Sequence, residues 1–376
     1  MNSVPRRFWP YDEVTISRDA DLPARFHVTS PWLKFHIDVE KSHADRAHQI
    51  SQKLSDGNVT ADDLDDINWL MSSLSDFPLA YILPRPFGFG TDEHSVLESN
   101  LNLNTPRDLL LDVTKDSQDI NQIKKFAADS VNTPWTWDTE AALEFSKSPN
   151  GFDAESIFSV ARRFHLLNDL EANKTLDLNE YVSSLKNDPV KFREASALVV
   201  RQNHYVTEKC DVTLKAALPL AQNAHHEVLE FIQAESGHDK ILAKALRSLG
   251  AEPNDVPAID CAVTLMEVFK SAAQKNLLGF AMIVDIFERT SYRKEDPLTS
   301  LLNEGGEFTA GKQVDVHREI NDAGEHENVA LGFLEHMASV DEKYAVEALR
   351  FAELATITIH HLSSDTLKIL KSKFQS

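Results

Sequence analysis

The distribution of proline is the feature of this sequence that most restricts its fold. Ten of the 15 prolines precede residue 150, and none follows Pro297. Because proline breaks the interior of a helix, only the second half of the chain has room for long helices. Glycine is also scarce, at 12 of 376 residues, whereas a protein built on many tight β-turns would need more of it. These counts predict an all-α protein whose longest helices follow residue 150.

Hydrophobic residues recur with the helical period through most of the chain after residue 153. Helices are predicted at 153–170, from Asp188 and Pro189 onward, at 211–249 with a bend near Pro219, after Asn254, Asp255 and Pro257, at 275–290, at 313–338 and at 341–362. Gly250 suits the position just after a helix. Amphipathic helices are also predicted at 40–55 and 62–76. We therefore expect a helical bundle in residues 151–376 and a mostly helical extension in residues 1–150.

The charge balance restricts the partners of this chain. Asp and Glu number 59 and Lys and Arg 38, so the formal net charge is −21. A field of this sign repels nucleic acid and anionic lipid. The longest uninterrupted apolar run, at 277–284, is too short to cross a bilayer, and the first residues lack the apolar region of a signal peptide. We expect no nucleic-acid or membrane partner and a cytoplasmic location.

Three predicted helices carry acidic or histidine side chains on faces that otherwise belong to a core. A carboxylate in such a place is costly unless it is paired, protonated or bound to a cation. On the first helix, Glu235 shares a face with Phe231, and His238 follows three residues later on the same side. On the second helix, Glu288 lies four residues after Val284 and extends an apolar face. Both positions are candidates for binding a metal ion.

The third helix carries several such groups. His326 shares a face with Phe333, and Asp322 and Glu319 lie one and two turns before it. His317 is nine residues from His326, which places it on the opposite side of a straight helix.

Each of these groups also has a purely structural interpretation. Glu235 and His238 would form a solvated or capping pair near Gly237, and Glu288 would meet an arginine or lysine of another helix. Asp322, Glu325 and His326 would form an acidic surface stripe. The combination of three helices favours a metal site, because helical bundles rich in carboxylate and histidine hold pairs of non-haem iron or manganese ions.

Three segments resemble the haem-oxygenase-like diiron oxidases and oxygenases, which share the helical fold of the TenA and PqqC-type proteins. The segments are ESGHDKILAKALRSLG, then LLGFAMIVDIFERTS, then HREINDAGEHENVALGFL. Their order and spacing are similar to the Glu/His helix, the lone-Glu helix and the His/Asp/His helix of that family. The resemblance covers roughly residues 190–360 and implies a haem-oxygenase-like helical bundle.

The resemblance also implies six metal ligands. They are Glu235, His238, Glu288, His317, Asp322 and His326. The third helix departs from the family, in which the first His and the Asp are usually four residues apart, because His317 and Asp322 are five apart. His317 reaches the site only if a π-bulge or a broken turn near Gly324 absorbs one residue. In a straight helix, Glu319 would take its place.

The function implied by the resemblance is that of a non-haem diiron oxidoreductase. Such an enzyme binds two Fe(2+) ions per chain, with manganese as the alternative, and uses O2 as co-substrate. The implied substrate is a small amine or amino-acid-derived molecule of specialised metabolism, which undergoes N-oxygenation, desaturation or carbon–carbon cleavage. No catalytic group beyond the metal ligands is implied. Residues 1–150 are interpreted as an accessory or dimerisation region, and we expect a homodimer.

Two other classes of function stay open at this point. A metal-independent enzyme of the same fold would use a cysteine nucleophile, and Cys210 is the candidate, with His204 and Tyr205 lining its pocket. A non-catalytic helical protein would instead recruit a basic partner to its acidic surface. Bound iron distinguishes the first class from the other two.

Overall fold

The structure is a computed structural model that describes the chain in several segments. These are residues 15–20, 22–29, 34–39, 41–55, 105–131, 134–137, 139–173, 178–288, 297–323, 329–335, 337 and 339–374. The predicted helix at 62–76 and the residues around Gly324 and His326 lie outside the described residues. For residues 166–173 and 321–323 the backbone is described but the side chains are not.

Helices account for most of the described residues. They are α1 (Ala44–Ser55), α2 (Pro106–Val113), α3 (Ile120–Ser130), α4 (Thr139–Phe145), α5 (Ala154–Asn173), α6 (Leu178–Ser184), α7 (Pro189–Lys215), α8 (Leu218–Ala221), α9 (His225–Glu235), α10 (His238–Ser248), α11 (Asp260–Lys275), α12 (Leu277–Glu288), α13 (Pro297–Glu304), α14 (Phe308–Ala323), α15 (Val329–Gly332) and α16 (Glu342–Phe374). The prediction of an all-α helical bundle is confirmed. None of the described helices is long and apolar enough to cross a membrane.

Six short strands accompany the helices in the described part of the chain. They are β1 (Thr15–Arg18), β2 (Arg25–Thr29), β3 (Lys34–Asp38), β4 (Lys147–Ser148), β5 (Gly151–Asp153) and β6 (Ser339–Val340). They form two antiparallel sheets, in the orders β1-β2-β3 and β4-β5-β6. Sequence analysis did not predict either sheet. A two-residue strand shows no hydrophobic period, and β6 pairs with β5 across almost 190 residues, so only tertiary packing defines it.

The chain divides into two compact units by its contacts. The first contains Met1–Glu93 with Arg162–Asn168, and the second contains His94–Ala161 with Asp169–Ser376. In the first unit, α1 packs on β1, and Phe26 of β2 is almost fully buried. Arg18 at the end of β1 forms an ion pair of 2.9 Å with Asp45 of α1. The predicted boundary at residue 150 stays a prediction, because this division does not test the role of either part.

Helix α16 organises the second unit. Its 33 residues span about 50 Å at 1.5 Å per residue, and it packs along α11 and α12. Ala345, Ala348, Ala352 and Ala355, spaced three or four residues apart, are all fully buried. Such a row of small side chains lies along one helix face and lets neighbouring helices approach closely.

A buried ion pair attaches residues 134–137 to α16. Glu353 has no exposed side-chain surface and lies 2.8 Å from Arg350. Its other carboxylate oxygen accepts hydrogen bonds from the backbone N–H groups of Thr136, at 2.5 Å, and Trp137, at 3.1 Å. The guanidinium of Arg350 also lies over the ring of Trp135 at 4.4 Å. Burial raises the pKa of Glu353, while Arg350 and these N–H groups oppose the rise.

The prediction of one long helix at 211–249 is wrong. Helix α7 continues to Lys215, and α8, α9 and α10 then follow as separate helices. Pro219 lies in the first turn of α8, where its missing N–H group has no helical partner to lose. It therefore begins a helix instead of bending one. Gly237, between α9 and α10, adopts a left-handed conformation with φ of 96°.

The predicted helix ends at Asp188 and Gly250 are confirmed. The side chain of Asp188 accepts a hydrogen bond from the N–H of Lys191 at 3.2 Å and caps α7. Gly250 has φ of 83°, its N–H bonds to the carbonyl of Arg247, and the N–H of Ala251 bonds to the carbonyl of Leu246. These two bonds form a Schellman motif at the end of α10.

Other predicted boundaries differ from the structure. The helix expected after Asn254 begins only at Asp260, and its preceding residue, Ile259, donates its N–H to the side chain of Gln202 on α7 at 3.0 Å. Because Gln202 lies more than fifty residues away, the local sequence does not reveal this contact. The helix expected at 313–338 is described over Phe308–Ala323, and residues 333–335, after α15, form a turn and not a helix. Helix α16 extends well past the predicted end at 362.

Candidate functional site

Glu235 and His238 meet at a sharp corner between two helices. Glu235 is the last residue of α9, and His238 is the first residue of α10. The Nδ1 atom of His238 lies 3.2 Å from an oxygen of Glu235, and their side chains are only 4% and 7% exposed. The interpretation as a solvated surface pair is therefore wrong. The sequence placed both residues on one face of a straight helix, but the structure brings them together across the corner.

His317 approaches the same pair from α14, which packs against α10. The rings of His238 and His317 lie edge to face, with centroids 5.1 Å apart. Glu319, on the same helix, is exposed. Of the two candidates for this position, His317 is thus the one that lies next to the Glu235–His238 pair.

Glu288 is the last residue of α12 and is half-buried. On α7, burial raises the pKa of the Cys210 thiol well above its usual value, and the negative charges of Glu235 and Glu288 raise it further.

Asn276 fixes the start of the helix that carries Glu288. It is fully buried, and its side-chain oxygen accepts a hydrogen bond of 2.9 Å from the N–H of Gly279. Its amide nitrogen donates to the backbone oxygen of Tyr344 at 3.0 Å and to the carboxylate of Glu347 at 3.2 Å. The same side chain therefore caps α12 and attaches it to α16.

Two of the six predicted ligands are only partly described or not described. Asp322 lies in the last turn of α14, but its side chain is outside the described residues, as is all of His326. Among the side chains that the structure does describe, no three or more His, Cys, Asp or Glu are grouped so as to hold a metal ion. Within this set, His238 contacts both Glu235 and His317.

Asp285 is a buried acid that sequence analysis did not select. It lies on α12, one turn before Glu288, and is only 3% exposed. The sequence carried a signal for it, because Asp285 is the first charge in an otherwise apolar helix. The helix face that contains Val284 includes Glu288 but not Asp285, so the pattern on that face selected only Glu288.

Phenylalanines from three helices and a turn form a continuous row through the second unit. Phe231 of α9 contacts Phe333, whose ring stacks on Phe280 at 5.8 Å between centroids. Phe280 stacks on Phe269, which also contacts Phe287. This aromatic row begins one turn before Glu235 and ends at the residue before Glu288. It provides apolar packing beside both acids.

His204 and Arg201 form a structural network on α7. Arg201 lies 2.7 Å from Nδ1 of His204 and 3.0 Å from Glu208, and it donates to the backbone oxygen of Val256. Burial and then the charge of Arg201 lower the pKa of His204. These contacts attach the loop before α11 to α7. They give His204 a structural role, in place of the pocket-lining role considered from sequence.

Tyr205 and Cys210 are poor candidates for covalent chemistry. Burial raises the pKa of Tyr205 to about 12. Since the thiolate is the reactive form of cysteine, the raised pKa of Cys210 leaves it mainly as the unreactive thiol at neutral pH. Arg201 and Lys209 lie 5.3 and 5.4 Å from the centroid of the Tyr205 ring, but the effect of burial on the pKa of Tyr205 exceeds that of the Arg201 charge.

In comparisons with protein-family models, curated protein sequences and solved structures, no match to this chain was found. The functional argument therefore depends on the residues described above.

Proposed function

We propose that this chain is a non-haem diiron oxidase or oxygenase. The observation that carries the proposal is the buried contact between Glu235 and His238, with His317 against the same imidazole. These residues come from sequence segments some 80 residues apart, and all three belong to the ligand set that the resemblance to the haem-oxygenase-like diiron family implies.

The chemistry of the donors fits iron or manganese. Carboxylate oxygens together with imidazole nitrogens suit these ions, whereas a soft-metal site would need several thiolates. Two donors on one ion at about 2.1 Å, separated by a right angle, lie about 3 Å apart. The 3.2 Å between Nδ1 of His238 and the oxygen of Glu235 agrees with this value. A hydrogen-bonded pair has a similar separation, so the decisive experiment must measure metal directly.

The proposed ligands are Glu235, His238, Glu288, His317, Asp322 and His326. When bound, the iron pair supplies the redox chemistry with O2. The protein's own residues would hold the ions and exclude water. The aromatic row beside Glu235 and Glu288 favours such a dry site, because its apolar rings leave few partners for water. The proposed substrate is a small amine or amino-acid-derived molecule, and the proposed assembly is a homodimer.

The test is to load the metal-free protein with ferrous iron under anaerobic conditions and to measure the iron that stays bound. About two irons per chain are expected, followed by a transient absorption change when O2 is admitted. Less than about one iron per chain, with no such change, would contradict the proposal.

Matched variants sharpen this test. His317→Ala and Glu319→Ala lie two residues apart on α14, where the His317 ring lies against His238 and Glu319 is exposed. His317→Ala should lower iron binding by about tenfold or more, and Glu319→Ala should leave it unchanged. Glu288→Gln keeps the shape of the side chain and removes its charge, so it should also weaken binding. If His317→Ala and Glu288→Gln bind iron as tightly as the unaltered protein, His317 and Glu288 do not belong to the site.

A further inference from the structure

We infer that Gly237 is a positioning residue that sets the relative orientation of Glu235 and His238. Only the expected effect of Gly237 on metal binding rests on the proposed function. The geometry of the corner itself is independent of that proposal.

The corner consists of two residues with different backbone conformations. Ser236, after the last residue of α9, is extended, with φ of −65° and ψ of 116°. Gly237, before the first residue of α10, is left-handed, with φ of 96° and ψ of 0°. Because only these two residues separate Glu235 from His238, their dihedral angles determine how the two side chains face each other.

The helices on either side of the corner are held by other contacts. Helix α9 packs against α7, while α10 packs against both α7 and α14. His238 is itself buried and lies against His317. Neither helix is therefore free to move as a rigid body when the backbone of the corner changes. A residue that rejects the left-handed conformation must instead displace the first turn of α10, which begins with His238.

Steric space does not explain the glycine at this position. A Cβ atom on Gly237 would meet no described atom within 4 Å. The requirement is conformational, since an L-residue in the left-handed region lowers the folding equilibrium constant about 5- to 30-fold. Asparagine tolerates this region better than alanine does.

Gly250 provides a matched control at the other end of the same helix. It also has positive φ, of 83°, and a Cβ there would likewise meet no described atom within 4 Å. Gly237→Ala and Gly250→Ala should therefore destabilise the protein by similar amounts. Only Gly237→Ala should disturb the contact between Glu235 and His238.

The first measurement is a double-mutant cycle, with Glu235→Gln and His238→Gln, on the unfolding of the full chain in the presence of a chelator. The expected coupling is about fivefold in the unfolding equilibrium constant. It should persist in the Gly250→Ala background, disappear in the Gly237→Ala background and return in part with Gly237→Asn. Equal coupling in the two alanine backgrounds would overturn the inference.

The second measurement uses Co(2+) as the probe and follows its binding by visible absorption. Gly237→Ala should weaken Co(2+) binding about tenfold or more, while Gly250→Ala should stay within about twofold of the unaltered protein. Failure of the unaltered protein to bind Co(2+) or iron would contradict the proposed function, and the coupling measurement would still decide the role of Gly237. If Gly237→Ala and Gly250→Ala both bind Co(2+) as tightly as the unaltered protein, Gly237 does not influence metal binding.

Discussion

The thiol of Cys210 lies in surroundings that are unfavourable for a nucleophile. It is half-buried on α7, and both burial and the carboxylates of Glu235 and Glu288 disfavour its ionised form. A thiolate nucleophile requires the opposite surroundings, with a nearby cation or a helix N terminus. Cys210 is better understood as a neutral, packed side chain beside the proposed ligands.

Alkylation of Cys210 by iodoacetamide in metal-free protein should therefore be slow at neutral pH. We expect a rate at least about tenfold below that of cysteine in an unfolded peptide. Glu235→Gln and Glu288→Gln should each increase it, because each removes a negative charge that raises the thiol pKa. Mass spectrometry distinguishes the modified Cys210 from Cys261, which is 1% exposed. Unchanged rates in both variants would contradict this electrostatic account, and Glu319→Gln is the control.

His204 predicts a specific pH dependence of stability. Burial and the charge of Arg201 lower its pKa in the folded protein below the ordinary value of 6.5, so the unfolded chain binds a proton more readily. The stability contributed by neutral His204 is thus present above pH 6.5 and is lost as the pH falls through that value. His204→Asn should flatten this decrease in stability below about pH 6.5. Urea unfolding at several pH values measures this change.

His226 is the matched control for that experiment, because its side chain is 76% exposed. His226→Asn should keep the pH profile of the unaltered protein. An unchanged profile in His204→Asn would show that another group is responsible for the acid sensitivity.

At the residue scale, the sequence predicted the burial of side chains better than it predicted the contacts between them. The helical period placed Glu235 and His238 on a core face, and both are buried. The period could not reveal that a corner separates them, since residues three apart share a side in a helix and can also converge across a tight turn. Glu353 was missed because its partners Thr136 and Trp137 lie more than 200 residues away in the sequence.

Among the elements, α12 depends on a single buried side chain for its start. Asn276 uses both its amide nitrogen and its oxygen in contacts with Gly279, Tyr344 and Glu347. Because α12 ends at Glu288, a shift of its first turn would be transmitted along a rigid helix to the proposed site.

Asn276→Ala should destabilise the protein by about 2–3 kcal/mol, because it removes a cap and leaves buried partners without their hydrogen bonds. Asn254→Ala, at an exposed position in the loop before α11, should change stability by less than about 0.5 kcal/mol. Urea unfolding compares the two variants. A similar small effect of both substitutions would mean that α12 is held mainly by its apolar packing.

Local signals predicted helix ends well where the capping group is close in sequence. Asp188 with Pro189, and Gly250 with its Schellman bonds, belong to this class. The start of α11 was predicted too early, and the residue before it donates its N–H to Gln202, more than fifty residues away. The interruption of the helix predicted at 211–249 depended on Pro219 beginning a new helix and on Gly237 turning the chain.

At the scale of the whole molecule, the excess of acidic groups is the dominant electrostatic property. The formal charge of −21 produces self-repulsion that opposes compaction, and added salt screens it. Many of the described ion pairs are exposed, including Lys115–Asp112 and Lys215–Asp211. Such pairs contribute little to stability, so their weakening by salt is the smaller effect.

Raising the NaCl concentration from about 10 to 150 mM should therefore increase the thermal midpoint of metal-free protein. Choline chloride should have the same effect at equal ionic strength, because the mechanism is screening and not binding of a particular cation. Differential scanning calorimetry measures both series. A lower midpoint in both salts would show that attractive ion pairs outweigh the net repulsion.

The position of α16 along the chain also affects how the protein is made. Its described partners include α11 and α12, and it also contacts α4, α6 and α7. All of these helices are synthesised before α16, so each leaves the ribosome with an apolar face still exposed. The row of buried alanines arrives only with residues 345–355. Closure of this core therefore waits for the synthesis of α16, and transiently exposed apolar faces of this kind are prone to aggregation until then.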